Sequence, residues 1–93
     1  LHYSCLKGKD NIALLLIESG ADINKKDKFY KTPLHYACSS GNENIVKYLV
    51  EHGAEVNIVN NDFITPIYYA INNGNDAIIK YLIEHGAVVN INN

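Results

Sequence analysis

Shifted by 33 positions, the chain falls on itself. Thr32-Pro33-Leu34-His35-Tyr36-Ala37 meets Thr65-Pro66-Ile67-Tyr68-Tyr69-Ala70, and Leu1-His2-Tyr3-Ser4-Cys5 meets Leu34-His35-Tyr36-Ala37-Cys38. Leu16-Ile17-Glu18-Ser19-Gly20-Ala21, Leu49-Val50-Glu51-His52-Gly53-Ala54 and Leu82-Ile83-Glu84-His85-Gly86-Ala87 form three copies of one segment. Gly8, Gly41 and Gly74 align, as do Asn24, Asn57 and Asn90. Self-similarity at a fixed period decides architecture before any local reading does, because each unit is a small piece that buries its apolar face only against a neighbour.

One unit resolves into two helices and a connection. Pro33 suits the first turn of a helix, where a missing N–H costs nothing and the ring presets φ, so a short helix is expected from there to about Ser40, ended by Gly41. A second helix is expected from Asn42 or Glu43, whose acid suits the positive end of the helix dipole. Ile45, Val46, Leu49 and Val50 make its apolar face, with Lys47 and Glu51 paired on the other side. Gly53 stands where a left-handed residue stops the helix, and Gly20 and Gly86 repeat it. Glu55 to Ile64 alternate apolar and polar residues, which predicts an extended loop or hairpin. The units run over about 1–26, 27–59 and 60–93, in one domain of all-α class: a solenoid of stacked helix–turn–helix units joined by hairpin-like loops. Three such units are about the least that give mutual cover.

With 47% hydrophobic and 19% charged residues the chain is globular in composition. Its longest apolar run, Ile12 to Ile17, is far short of the roughly 20 residues that cross a bilayer, so no membrane insertion is expected. The chain opens without the basic and apolar regions of a signal peptide. A formal charge of −2 offers no overall positive field to phosphates, so nucleic acid is not the expected partner. Lys25, Lys26, Lys28 and Lys31 form one basic cluster, interrupted by Asp27; as a charge run it reads first as a solvated loop. Cys5 and Cys38 occupy equivalent positions, and neighbouring units stand on the order of 10 Å apart, beyond the reach of about 7 Å that a disulfide allows. Reduced thiols and an intracellular, cytoplasmic or nuclear, compartment are the expectation.

The period together with Thr32-Pro33-Leu34-His35, Gly41 and Gly53-Ala54 resembles the ankyrin repeat over the whole chain. The resemblance implies that Thr32 and His35 hydrogen-bond to each other and to the loop of the adjacent unit, making Thr32, Pro33, Leu34, His35, Thr65 and Pro66 structural. Two departures follow. The family places Gly at the hairpin tip where this chain has Tyr30 and Phe63, so each tip must take another turn or hold strain. Tyr68 replaces the motif histidine in the last unit, which removes that loop-to-loop bond from expectation. Residue 1 falls within a first helix, Asn93 just into a further hairpin, and no polar capping unit is apparent; the expectation is a segment of a longer array.

No motif for catalysis, phosphate binding or metal binding is found. His2, His35, His52, His85, Cys5 and Cys38 are the possible metal ligands. His52 and His85 stand one repeat apart, too far to share an ion whose donors lie about 2.0–2.3 Å away, and both fit helix C-termini. Cys38 takes a position where the family puts a small buried residue, so its thiol reads as packing. No catalytic residue, cofactor, metal or small-molecule substrate is expected, and the chain is not expected to be an enzyme.

The resemblance further implies a concave surface of hairpin tips and inner helices that binds a protein partner. In this chain those positions are Lys26, Lys28, Phe29, Lys31, Ser39, Ser40, Val59, Asp62, Ile64, Asn72 and Asn73. Phe29 and Tyr30 match interface hot-spot composition on a loop where solubility alone would favour Gly, Asn or Asp. The competing reading has Tyr30 and Phe63 tucked against adjacent hairpins, while Tyr3, Tyr36 and Tyr69 form a half-buried ladder. The alternative role is a structural spacer or autoinhibitory segment in a larger, possibly enzyme-linked, protein. Leu16, Asp22, Ile23 and Asn24 resemble the pattern hydroxylated in some ankyrin repeats, which makes Asn24 a candidate for modification; the plainer alternative is a loop asparagine bonded to its own backbone.

Overall fold

The prolines after Thr32 and Thr65 and the acids at Asp10, Glu43 and Asp76 mark helix starts in a computed structural model that describes residues 1–89. Six helices follow in order: α1 (His2–Leu6), α2 (Asp10–Glu18), α3 (Pro33–Ser40), α4 (Glu43–Glu51), α5 (Pro66–Asn72) and α6 (Asp76–Glu84). There is no β-strand among the described residues. Asn90 and Asn93, used above in the alignment and at the chain end, lie outside them.

The helices form two layers. Helix α3 packs between α1 and α5, and α4 packs between α2 and α6, so each helix meets its counterpart in the neighbouring unit as well as its own partner. This is the translational order expected of units that lend each other apolar surface. Leu34 with Ile67, Ala37 with Ala70, Ile45 with Ile78, and Leu49 with Leu82 form buried columns one period apart. Small residues at Ala37, Cys38 and Ala70 let the inner layer approach closely.

Local signals set the helix ends. Thr32 and His35 form a capping box, the hydroxyl accepting from the His35 amide while Nδ1 accepts the Thr32 amide at 2.9 Å. Asn42 caps α4 by accepting the Ile45 amide at 3.0 Å, and Asn75 caps α6 through Ile78 at 3.1 Å. Gly41 and Gly53 end α3 and α4 at φ of 76° and 99°, where a Cβ would be strained. His52 and His85 close their helices by donating from Nδ1 to the carbonyls of Tyr48 and Tyr81 at 2.7 and 2.8 Å.

Burial changes along two of the columns. Ile45 and Ile78 are 0% and 1% exposed, whereas Ile12, their counterpart in the first unit, is 52% exposed. Cys5 and Cys38 are fully buried, but Ile71 in the same column is exposed. Ile12 in the first unit and Ile71 in the third thus leave apolar surface in water where their counterparts in the middle unit are closed.

Candidate functional site: the ridge of loop tips

Residues 27–31 fold into a tight loop organised by one side chain. Asp27 Oδ1 accepts the amides of Phe29 (2.8 Å) and Lys31 (2.9 Å), while the Asp27 carbonyl accepts the Tyr30 amide at 2.9 Å and the Asp27 amide donates to the Lys31 carbonyl at 3.0 Å. Asn60 does the same one period later, taking Asp62 (2.8 Å) and Ile64 (3.0 Å) on Oδ1 and Phe63 on its carbonyl. An Asx side chain standing in for a backbone acceptor is the reason for Asp and Asn at these positions. Burial raises the Asp27 pKa, but donation from the Tyr36 hydroxyl and from the Lys31 and Phe29 amides prevails and holds it below its ordinary value. In the second tip Asn60 donates to the Tyr69 hydroxyl at 3.1 Å.

The turn geometry requires a left-handed residue at the fourth position of each loop. Tyr30 and Phe63 occupy it with φ of 61° and 60°. Of the two outcomes open to these tips, the structure takes the strained one, at a cost of roughly 1–2 kcal/mol per residue relative to unstrained backbone. Neither ring tucks against an adjacent hairpin. Phe63 is 83% and Tyr30 57% exposed, so the reading that tucked them against adjacent hairpins is corrected. The sequence singles out Tyr30 beside Phe29 for its hot-spot composition; Phe63, an aromatic at the equivalent glycine position, carries the same signal and stands outside the partner-facing set read from sequence.

The two tips stand side by side, joined by the Asn61 amide donating to the Phe29 carbonyl at 3.1 Å. Lys26, Lys28, Phe29, Val59 and Asp62 are exposed on this ridge. Lys31 is half-buried, its Nζ lying 5.3 Å from the Tyr36 ring centre and 5.5 Å from that of Tyr69. Ile64 is half-buried too, and its carbonyl receives His35 Nε2 at 3.0 Å. Ser39, Ser40 and Asn72 are exposed at the C-terminal ends of α3 and α5, below the ridge. Asn73 is exposed but already occupied, since Nδ2 donates to the carbonyls of Ser39 (2.8 Å) and Cys38 (3.2 Å) and closes the end of α3.

Thr32, Pro33, Leu34, His35 and Pro66 are buried, and Thr65 is half-buried. Burial lowers the pKa of His35, outweighing the Ile64 carbonyl that favours the charged ring, so the neutral form carries its proton on Nε2. His2 bridges in the same sense to the carbonyls of Lys25 (2.8 Å) and Lys31 (3.1 Å). In the third unit, where Tyr68 stands in place of histidine, the Thr65 hydroxyl is buried with no hydrogen-bond partner. At the opposite end of the loops Asn24 donates to the Gly53 carbonyl (3.2 Å) and accepts the Glu55 amide (2.9 Å). Its side chain thus spans to the next unit instead of its own backbone. Asn57 repeats the clamp on Gly86 and Val88.

Chemistry of the thiols is suppressed, because burial pushes both Cys5 and Cys38 up to about 12 and leaves almost no thiolate near neutral pH. Among the described residues no three His, Cys, Asp or Glu side chains gather closely enough to hold a metal ion, and no helix is long and apolar enough to cross a membrane.

A family model for ankyrin repeats, in three copies, matches residues 1–93. Among solved structures, the human ASB11 ankyrin repeat domain is similar, at 31% identity over 97% of this chain with a TM-score of 0.93. The chain spans 41% of the length of that solved chain. A comparison with curated proteins returned no match.

Proposed function

We propose that this chain, which belongs to the ankyrin-repeat family, holds a protein partner on the ridge formed by the tips at 27–31 and 60–64 and on the exposed ends of α3 and α5. Ankyrin repeats are in general protein-interaction modules; the location on this chain is the reading advanced here. One observation carries it. Tyr30 and Phe63 sit in left-handed backbone with their rings in water, at a position where glycine would remove the strain and the exposed apolar surface together. Two adjacent loops with the same uncompensated cost fit a surface whose return is intermolecular, and large aromatics are the residues that dominate interface energetics.

Affinity capture from the source cell with the native chain and with a Tyr30→Gly/Phe63→Gly variant tests this. Loss of the captured protein from the variant, with unchanged helical content, supports the ridge; equal capture by both places the binding surface elsewhere.

The exposed Ile12 at one end and Ile71 at the other also fit a stack that continues into further units at both ends. Joining one more unit ahead of residue 1 should cover Ile12 and raise the unfolding midpoint; an unchanged midpoint would argue that this face needs no neighbour.

A further inference from the structure

We infer that the ridge selects a short acidic peptide segment carrying an apolar residue, with its acids over the first tip and its apolar residue over the second; this rests on the ridge being the binding surface. Four of the chain's eight cations fall within residues 25–31, against the single acid Asp27. Elsewhere four lysines face nine acids, so the first tip is a local positive patch on a protein that is otherwise negative. With screening over about 8 Å at physiological salt, a bound segment senses that patch and not the net charge.

The cations are also held in place. Lys26 Nζ lies 5.5 Å from the Tyr30 ring centre, Lys28 Nζ 5.2 Å from that of Phe29, and Lys31 Nζ sits between Tyr36 and Tyr69. Resting on ring faces restricts lysine rotamers before a partner arrives and lowers the ordering cost of binding. The one carboxylate in the loop is turned to loop amides and the Tyr36 hydroxyl, so it is not offered to the partner's cations. The second tip differs: Phe63 is bare and Ile64 half-exposed, with Asp62 as its only charge.

A long polyanion is a poorer fit than a short segment. Beyond the first tip it would run onto Asp62 of the second, and repulsion there would offset part of the gain at the lysines.

The test uses the isotope-labelled chain and the blocked peptide Asp-Glu-Asp-Glu-Leu-Phe, with Asn-Gln-Asn-Gln-Leu-Phe, Asp-Glu-Asp-Glu-Ser-Ser and an oligothymidylate as comparisons. Backbone amide shifts are expected at both tips with the first peptide, none with the neutral one, and shifts confined to the first tip with the serine version. Lys26→Gln/Lys28→Gln should weaken binding by about threefold to tenfold without moving the melting curve. Absent shifts, equal binding of the neutral peptide, or tighter binding of the oligothymidylate overturns the acidic-peptide assignment. If the captured natural partner survives the lysine changes but is lost on Phe63→Gly, the ridge stands and the assignment falls; if neither change matters, both fall.

Discussion

His35 Nε2 donates to the Ile64 carbonyl at 3.0 Å, while Nδ1 of the same ring accepts the Thr32 amide at 2.9 Å. One buried imidazole thereby closes the start of its own helix and ties down the loop of the following unit. It performs both tasks only when neutral. Because its pKa is lowered in the folded state, the unfolded chain takes up this proton first as pH falls below about 6.5. The stability His35 contributes is present in full above that pH and declines below it, until the folded pKa is reached. Thermal unfolding between pH 7.5 and 5.5 should show a falling midpoint, and a His35→Gln variant should flatten that part of the profile.

Removing the ring altogether should be costly. His35→Ala leaves the buried Thr32 amide without its acceptor and the half-buried Ile64 carbonyl with the Asn60 amide as its one remaining donor, with a loss of about 2–3 kcal/mol expected in urea unfolding. A loss under roughly 0.5 kcal/mol would mean that water replaces the imidazole at little cost.

Strain at the tips makes the opposite prediction. Tyr30→Gly and Phe63→Gly each release an unfavourable backbone state, partly offset by the greater freedom of glycine in the unfolded chain. Each should stabilise the fold by about 0.5–1 kcal/mol in denaturant titrations. Destabilisation instead would reveal that the exposed rings contribute packing after all.

The asparagine clamps should be felt between units. Asn57→Ala removes a donor to Gly86 and an acceptor for Val88, and a cost of about 1–2 kcal/mol is expected. Hydrogen exchange should show the loss concentrated at the end of α6 and in residues 86–88 that follow it. Uniform acceleration across all six helices would contradict a local, nearest-neighbour role.

Position within a column should decide how much an identical substitution matters. Ile45→Ala empties a fully buried site and should cost about 2–5 kcal/mol, whereas Ile12→Ala, at the half-exposed end of the same column, should stay below about 1 kcal/mol. Equal effects would argue against the stacked-unit account of stability.

Thiol labelling offers a quick check on the core. With both sulfurs buried and titrating near 12, Cys5 and Cys38 should react with an aromatic disulfide reagent only after denaturation.

Much of this architecture was legible in the residues. The 33-residue period, Pro33 and Pro66 at helix starts, glycines at helix ends and the apolar spacing of Ile45, Val46, Leu49 and Val50 are local signals, and local backbone preferences obey them wherever the unit sits. The site was legible only in outline. Tip positions follow from the period, but the period does not show that Asn73 bonds back to the end of α3. Asn24 reaches across to the next unit, and Lys31 is set between two tyrosines from different units.

Those three cases share a physical cause. Helix boundaries, apolar faces and the repeat itself depend on interactions within a few residues or on a pattern that sequence displays directly, and so the sequence alone determined the stacked helical fold. Whether a polar or aromatic side chain faces water, a neighbouring carbonyl or another ring depends on atoms about 30 residues away, placed by the stacking. That allocation, which leaves Tyr30 and Phe63 bare while Asn73 and Asn24 are engaged, is decided only when the units come together.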